Sequence, residues 1–92
     1  MDNNRRTAYD VLLAVEAKKS YSNIALNENI KKRCPEDEAF VRSLVYGVLE
    51  NQIYLDYKLS KLVKSGLKKV RTQALILLRM GAYQIEFMNS VP

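Results

Sequence analysis

The sequence predicts an all-α domain of about five helices. Three observations carry this: apolar residues recur at helical spacing in five segments, no stretch shows period-two alternation of strand length, and helix start and stop signals separate the segments. There is no internal repeat, and residues 1–92 read as a single domain. A chain of this size buries only about 60–65% of its unfolded surface, so its core is small.

The first helix is expected from about Asn4 to Lys18, with Asn3 or Asn4 as N-cap and Ala8, Val11, Leu12 and Val15 on one apolar face. Lys18-Lys19-Ser20 closes it. Ser20 or Ser22 then caps a second helix ending near Arg33, whose apolar content (Ile24, Leu26, Ile30) is thin enough to place it at the periphery. Lys31-Lys32-Arg33 complements the dipole of its last turn. Pro35, followed by Glu36, Asp37 and Glu38, marks a third helix that runs to about Asn51 with a wide face of Phe40, Val41, Leu44, Val45, Val48 and Leu49. A fourth, roughly Ile53–Val63, buries Leu55, Leu59, Leu62 and Val63 and stops at Ser65-Gly66.

The fifth segment, Ala74–Met88, is apolar nearly all round. Ala74, Leu77, Leu78, Gly81, Ile85 and Met88 form one stripe, and Arg79, Gln84 and Glu86 are the strongly polar interruptions. It is too short and too interrupted to span a bilayer, which takes about 20 largely uncharged residues. It therefore reads as the central helix of the bundle, with Leu78 in the core, Thr72 as a cap, and Gly81 approached by Gly47 of the third helix. A charge on so buried a helix needs a partner, and Asp56 is the one expected for Arg79.

Composition excludes several chemistries. One cysteine allows no disulfide within the chain, and one cysteine without histidine excludes the usual zinc ligand set. Cys34 has no histidine to activate it and reads as a bystander thiol. No phosphate-binding glycine loop, catalytic dyad or secretory signal is present, and these features favour a soluble, cytoplasmic protein without an active site or bound cofactor in this chain. The net charge of +5 is uneven: Lys58, Lys61, Lys64, Lys68, Lys69, Arg71 and Arg79 fall between Lys58 and Ile85 with no acid among them. A polyanionic partner is implied, nucleic acid first. Arg5 and Arg6 oppose the dipole at the start of the first helix, so local helix energetics do not account for them. Together with Lys68, Lys69 and Arg71 they are the candidate RNA-binding residues, whereas no tyrosine stands out as a platform for stacked bases.

The ordered set Arg5-x-x-Ala8, Ser22-Asn23-Ile24, Leu44-Val45-Tyr46-Gly47-Val48-Leu49, Leu55-Asp56, Leu78-Arg79-x-Gly81-x-Tyr83-Gln84 and Val91-Pro92 resembles the NusB-like domain. It looks most like the amino-terminal domain of bacterial small-subunit rRNA cytosine-C5 methyltransferases (RsmB, Sun or Fmu type). The resemblance implies a helical bundle that helps recognise ribosomal RNA, with the N-terminal arginine motif at Arg5. It also implies a catalytic domain, carried by the parent enzyme outside this chain, that uses S-adenosylmethionine and a cysteine pair. Cys34-Pro35 does not match that catalytic motif. Glu50 stands where the family often has a basic residue, which argues against an RNA surface at the start of the fourth helix. The family's domain continues past the Val-Pro with further helices. The chain is thus expected to be a C-terminally truncated fragment whose uncovered apolar surface favours self-association. The alternatives are a stand-alone NusB-type antitermination factor and a protein-binding helical module.

Overall fold

The structure, a computed structural model, describes residues 1–88; the Val91-Pro92 pair quoted for the resemblance lies outside them. Five α-helices follow one another: α1 (Asn3–Lys18), α2 (Ser22–Arg33), α3 (Glu38–Glu50), α4 (Gln52–Ser60) and α5 (Thr72–Phe87), with a 3₁₀ turn at Leu67–Lys69 between the last two. The described residues contain no strand, so the expected all-α bundle is observed.

The helix boundaries follow the caps. Asp2, rather than Asn3 or Asn4, caps α1: its carboxylate accepts from the Arg5 backbone N–H at 2.8 Å. The two asparagines tie neighbouring elements instead. Asn3 donates to the Arg33 carbonyl at 2.8 Å, and the Asn4 side-chain oxygen accepts from the Asp37 N–H at 3.1 Å. Neither Ser20 nor Ser22 caps α2, whose N-cap is Tyr21. Pro35 lies before α3 rather than in its first turn; Asp37 is the cap, accepting from the Phe40 N–H at 2.9 Å. Cys34, at φ 48°, forms the left-handed stop of α2, which is why the chain needs three more residues to re-enter a helix. Arg71, not Thr72, occupies the N-cap of α5.

Helix α1 packs against α2, α3 and α5, and α5 packs against α1, α3 and α4. The core they enclose holds Ala8, Val11 and Leu12 of α1, Leu26 of α2, and Val41, Leu44, Val45 and Val48 of α3, each essentially shielded from water. The last four fall at i, i+3, i+4 and i+7, the period that turns one helix face continuously inward. Leu55 and Leu59 bring in α4, which ends at Ser60; Leu62, expected in its buried stripe, is 78% exposed in the turn beyond.

The expectation of a central, enveloped α5 is not met. Its inward residues are Ile76, Arg79 and Met80, with Tyr83 partly covered. Leu77 and Leu78 are 43% and 39% exposed, and Ile85 is 77% exposed. Ala74, Leu77, Leu78 and Ile85 of the stripe that the sequence marks as apolar therefore lie on the outward face, whereas its last member, Met88, packs against the core. The reason is Arg79, which lies on the opposite side of the helix and must face its carboxylate partners.

The expected approach of Gly47 to Gly81 is also replaced. A Cβ at Gly81 would meet nothing nearby, whereas a Cβ at Gly47 would fall inside the phenol ring of Tyr83. Gly47 thus exists to seat an aromatic ring of α5 against the backbone of α3. Tyr83 in turn stacks on Phe87, centroids 5.0 Å apart, and Phe87 meets the edge of Tyr54 from α4 at 6.1 Å.

Two outcomes follow from this packing. Gly47→Ala should destabilise the domain by about 1–3 kcal/mol through overpacking, whereas Gly81→Ala should be neutral or gain up to about 1 kcal/mol from helix propensity; urea denaturation of both variants checks the contrast. Leu78→Asp, a lethal change in a central helix, should instead cost about 1 kcal/mol or less and reduce concentration-dependent association of the chain, read by sedimentation velocity.

Candidate nucleic-acid interface

The predicted basic residues separate into two groups. Arg5 packs beside Gln84 of α5, while Lys68, Lys69 and Arg71 stand just before that helix begins. Gln84 and Arg71 are near opposite ends of α5, about 20 Å apart along its axis at a rise of 1.5 Å per residue. The structure does not bring the five candidates into one site.

At the first end, acids built into the same elements answer the arginines. The Arg5 Nε donates to the Gln84 Oε1 at 2.7 Å, its guanidinium pairs with Asp2, and it lies 5.1 Å from the centroid of the Phe40 ring. Arg5 is therefore a tie between α1, α3 and α5, half-buried and engaged by the fold's own groups. The hydrogen bond from the Arg5 backbone N–H holds the Asp2 carboxyl below its ordinary range; burial opposes this slightly, and the Arg5 guanidinium adds to it. Arg6 remains exposed, its Nε 3.3 Å from the Asp10 carboxylate and its guanidinium over the Tyr9 ring at 5.8 Å. Asp10 also pairs with Arg33 at the end of α2. Through that shared carboxylate the start of α1 and the basic last turn of α2 (Lys31, Lys32, Arg33) form one surface, which position in the sequence alone did not join.

At the second end, Lys68, Lys69 and Arg71 are exposed, the two lysines in the 3₁₀ turn and the arginine next to it. Gly66, at φ 84°, turns the chain into that segment. No carboxylate lies in the stretch between Asp56 and Glu86.

Between the two ends lies the buried charge of the domain. Arg79 is 4% exposed. Its Nε and Nη2 grip both Asp56 oxygens at 2.8 and 2.9 Å, as expected, and its Nη1 donates to Glu16 at 2.9 Å, a partner the sequence reading did not identify. Burial works to lower the guanidinium pKa. The hydrogen bonds it donates to Asp56 and Glu16, with their charges, overcome that and hold it above its ordinary value. The three elements α1, α4 and α5 are thus pinned at one point, and the role is structural, because the forked donors are consumed. A single charged partner on the right face was legible in the sequence. The second required knowing that α1 runs beside α5.

The described residues gather no metal-ligating cluster, and no helix among them is long and apolar enough to cross a membrane. They also present no strand–glycine turn–helix unit of the kind that cradles S-adenosylmethionine-like cofactors.

Removing the pin tests this arrangement. Asp56→Ala should cost about 3–5 kcal/mol by leaving a buried cation half-answered. Glu16→Gln should cost less, because the bidentate pair survives. Thermal denaturation followed by circular dichroism reads both.

Comparison with known proteins agrees with the helical arrangement. Over 90 residues the chain is 34% identical to the probable ribosomal RNA small subunit methyltransferase B of Bacillus subtilis, covering 96% of this chain and 20% of that protein. It is 35% identical over 91 residues to the transcription antitermination protein NusB of the same organism, covering 96% of this chain and 70% of the relative. A probable ribosomal RNA small subunit methyltransferase B of Synechocystis is 28% identical over 90 residues, again across 20% of its length. The chain thus spans about a fifth of the methyltransferase relatives and over two thirds of the antitermination relative. No solved structure matches it. The NusB family profile aligns with residues 2–92, and on that match, together with the helical bundle, the chain belongs to the NusB family.

Proposed function

We propose that this chain is the RNA-binding accessory domain of an S-adenosylmethionine-dependent 16S rRNA (cytosine-C5) methyltransferase acting in the cytoplasm. In this reading its partners are ribosomal RNA and the parent's own catalytic domain. The observation that carries the RNA part is the unbalanced charge from Lys58 to Arg71, exposed at Lys68, Lys69 and Arg71, on a NusB-family scaffold. Similarity to a fifth of the length of two methyltransferase B relatives supports the parent enzyme. The outward apolar stripe of α5 (Leu77, Leu78, Ile85) is the surface on which further parts of that parent would pack. The cofactor would be held there, outside this chain.

A second reading rests on a specific observation: the chain covers 70% of an antitermination protein at 35% identity. In that reading the chain acts as part of a NusB-type factor, with the same RNA surfaces and no catalytic partner. The coding sequence after Pro92 separates the two, since only the first requires a methyltransferase domain downstream.

RNA binding is measured directly. A domain neutralising three or four phosphates should show log affinity falling with log salt at a slope of about −2 to −4. Arg6→Ala should leave the melting temperature unchanged and lower that slope by about one phosphate's worth, whereas Arg5→Ala should lower the melting temperature because it removes the tie to Gln84. Wild-type protein that fails to bind 16S rRNA fragments even at low salt would overturn the RNA reading.

A further inference from the structure

The outward side of α4 carries residues that neither the fold nor the proposed arginine contacts explain. Tyr54, Tyr57, Lys58 and Lys61 fall at i, i+3, i+4 and i+7, one helix face turned away from buried Leu55 and Leu59. The two aromatic rings are already paired with cations: the Lys58 ammonium lies 5.7 Å from the Tyr54 centroid and the Lys61 ammonium 4.3 Å from that of Tyr57. Tyr54 is anchored, its hydroxyl donating to Glu86 and its edge resting on Phe87. Tyr57, one turn on, is 59% exposed.

The lysines alone would have a plain explanation, since cations near a helix C-terminus complement its dipole. That does not explain an exposed tyrosine beside them. A ring so open to water adds little to the core, and surface cation–π pairs are individually weak. The chain then continues through exposed Lys64 into Lys68, Lys69 and Arg71 without an acid. An aromatic face followed by a run of cations matches an unpaired polynucleotide strand, whose bases stack on tyrosine and whose phosphates meet lysine. A duplex hides its base faces and cannot use the ring.

We propose that the α4 face formed by Tyr57, Lys58 and Lys61, continued by Lys64, is a track for single-stranded RNA. One base stacks on Tyr57, and the lysines neutralise the phosphates beside it. This departs from the expectation that no tyrosine stands out as a stacking platform, and it rests on the RNA-binding reading above. Glu50 does not conflict with it, because that acid is the last residue of α3, before α4 begins, and the track runs toward the other end of α4.

The test uses the 92-residue chain, a labelled oligouridylate of about 12 nucleotides and an RNA duplex of equal length, with affinities from fluorescence anisotropy across salt concentrations. Tyr57→Ala should weaken oligouridylate binding roughly 5- to 100-fold, as loss of one stacked base predicts. It should leave duplex binding within about twofold, and Tyr57→Phe should restore wild-type affinity. Lys61→Gln should reduce the single-strand salt slope by about 0.7, one phosphate's share. If Tyr57→Ala binds the oligouridylate as wild type does, the track is overturned while the RNA reading stands on the Arg6 result. Docking of a protein on this face would give that same result. Equal loss for single strand and duplex would also overturn it, because stacking would not be the cause. Wild-type protein that binds neither RNA overturns both readings together.

Discussion

The fold turns on one buried cation. Arg79 is removed from water on the inward face of α5, and a guanidinium there is tolerated only with its donors met and its charge balanced. Asp56 supplies a two-oxygen grip from α4, and Glu16 supplies a second carboxylate from α1. This requirement orients α5 about its own axis. With Arg79 inward, Ile76 and Met80 beside it enter the core, and the stripe of Leu77, Leu78 and Ile85 must turn outward. A more apolar face is thereby left to solvent, because satisfying a charge outweighs burying additional aliphatic area.

That competition also explains what was legible in the sequence. The five helices, the apolar stripe of α3 and the pairing of Arg79 with Asp56 follow from local periodicity and from the cost of burying an unpaired charge. The direction of α5 did not follow, because a helix apolar on two sides gives periodicity analysis no basis for choosing between them. Caps failed for a related reason. Asn3 and Asn4 have the chemistry of N-caps, but their side chains bond to Arg33 and Asp37, elements that only the tertiary fold brings near. Gly47 and Gly81 could be recognised as special positions, yet only the placement of the Tyr83 ring shows that Gly47 alone is constrained.

The candidate site was legible to a different degree. The cationic residues were readable as charges in the chain, but not as partners. Arg5 looked unexplained only while its neighbours were limited to its own helix; Gln84 and Phe40 come from α5 and α3. Tyr57 did not stand out because nothing in the sequence tells which of six tyrosines is exposed. Its exposure depends on α4 ending at Ser60 and on Leu55 and Leu59 holding the opposite face down.

The distribution of acids, more than the count of bases, locates the surface left for a polyanion. At the start of α1 the bases face their own counterions: Asp2 engages Arg5, and Asp10 is shared by Arg6 and Arg33. Phosphates approaching there must compete with carboxylates already in place, so each contact yields less than a free cation would. Glu86 moderates Lys58 in the same way, at a separation of 4.0 Å. From Lys61 through the 3₁₀ turn to Arg71 the sequence carries no acid. Counterion release, the main source of nucleic-acid affinity, would therefore be greatest along the α4–α5 connection in the proposed RNA complex, beside the exposed ring of Tyr57. Charge and aromatic surface coincide there, on a segment that carries no carboxylate of its own.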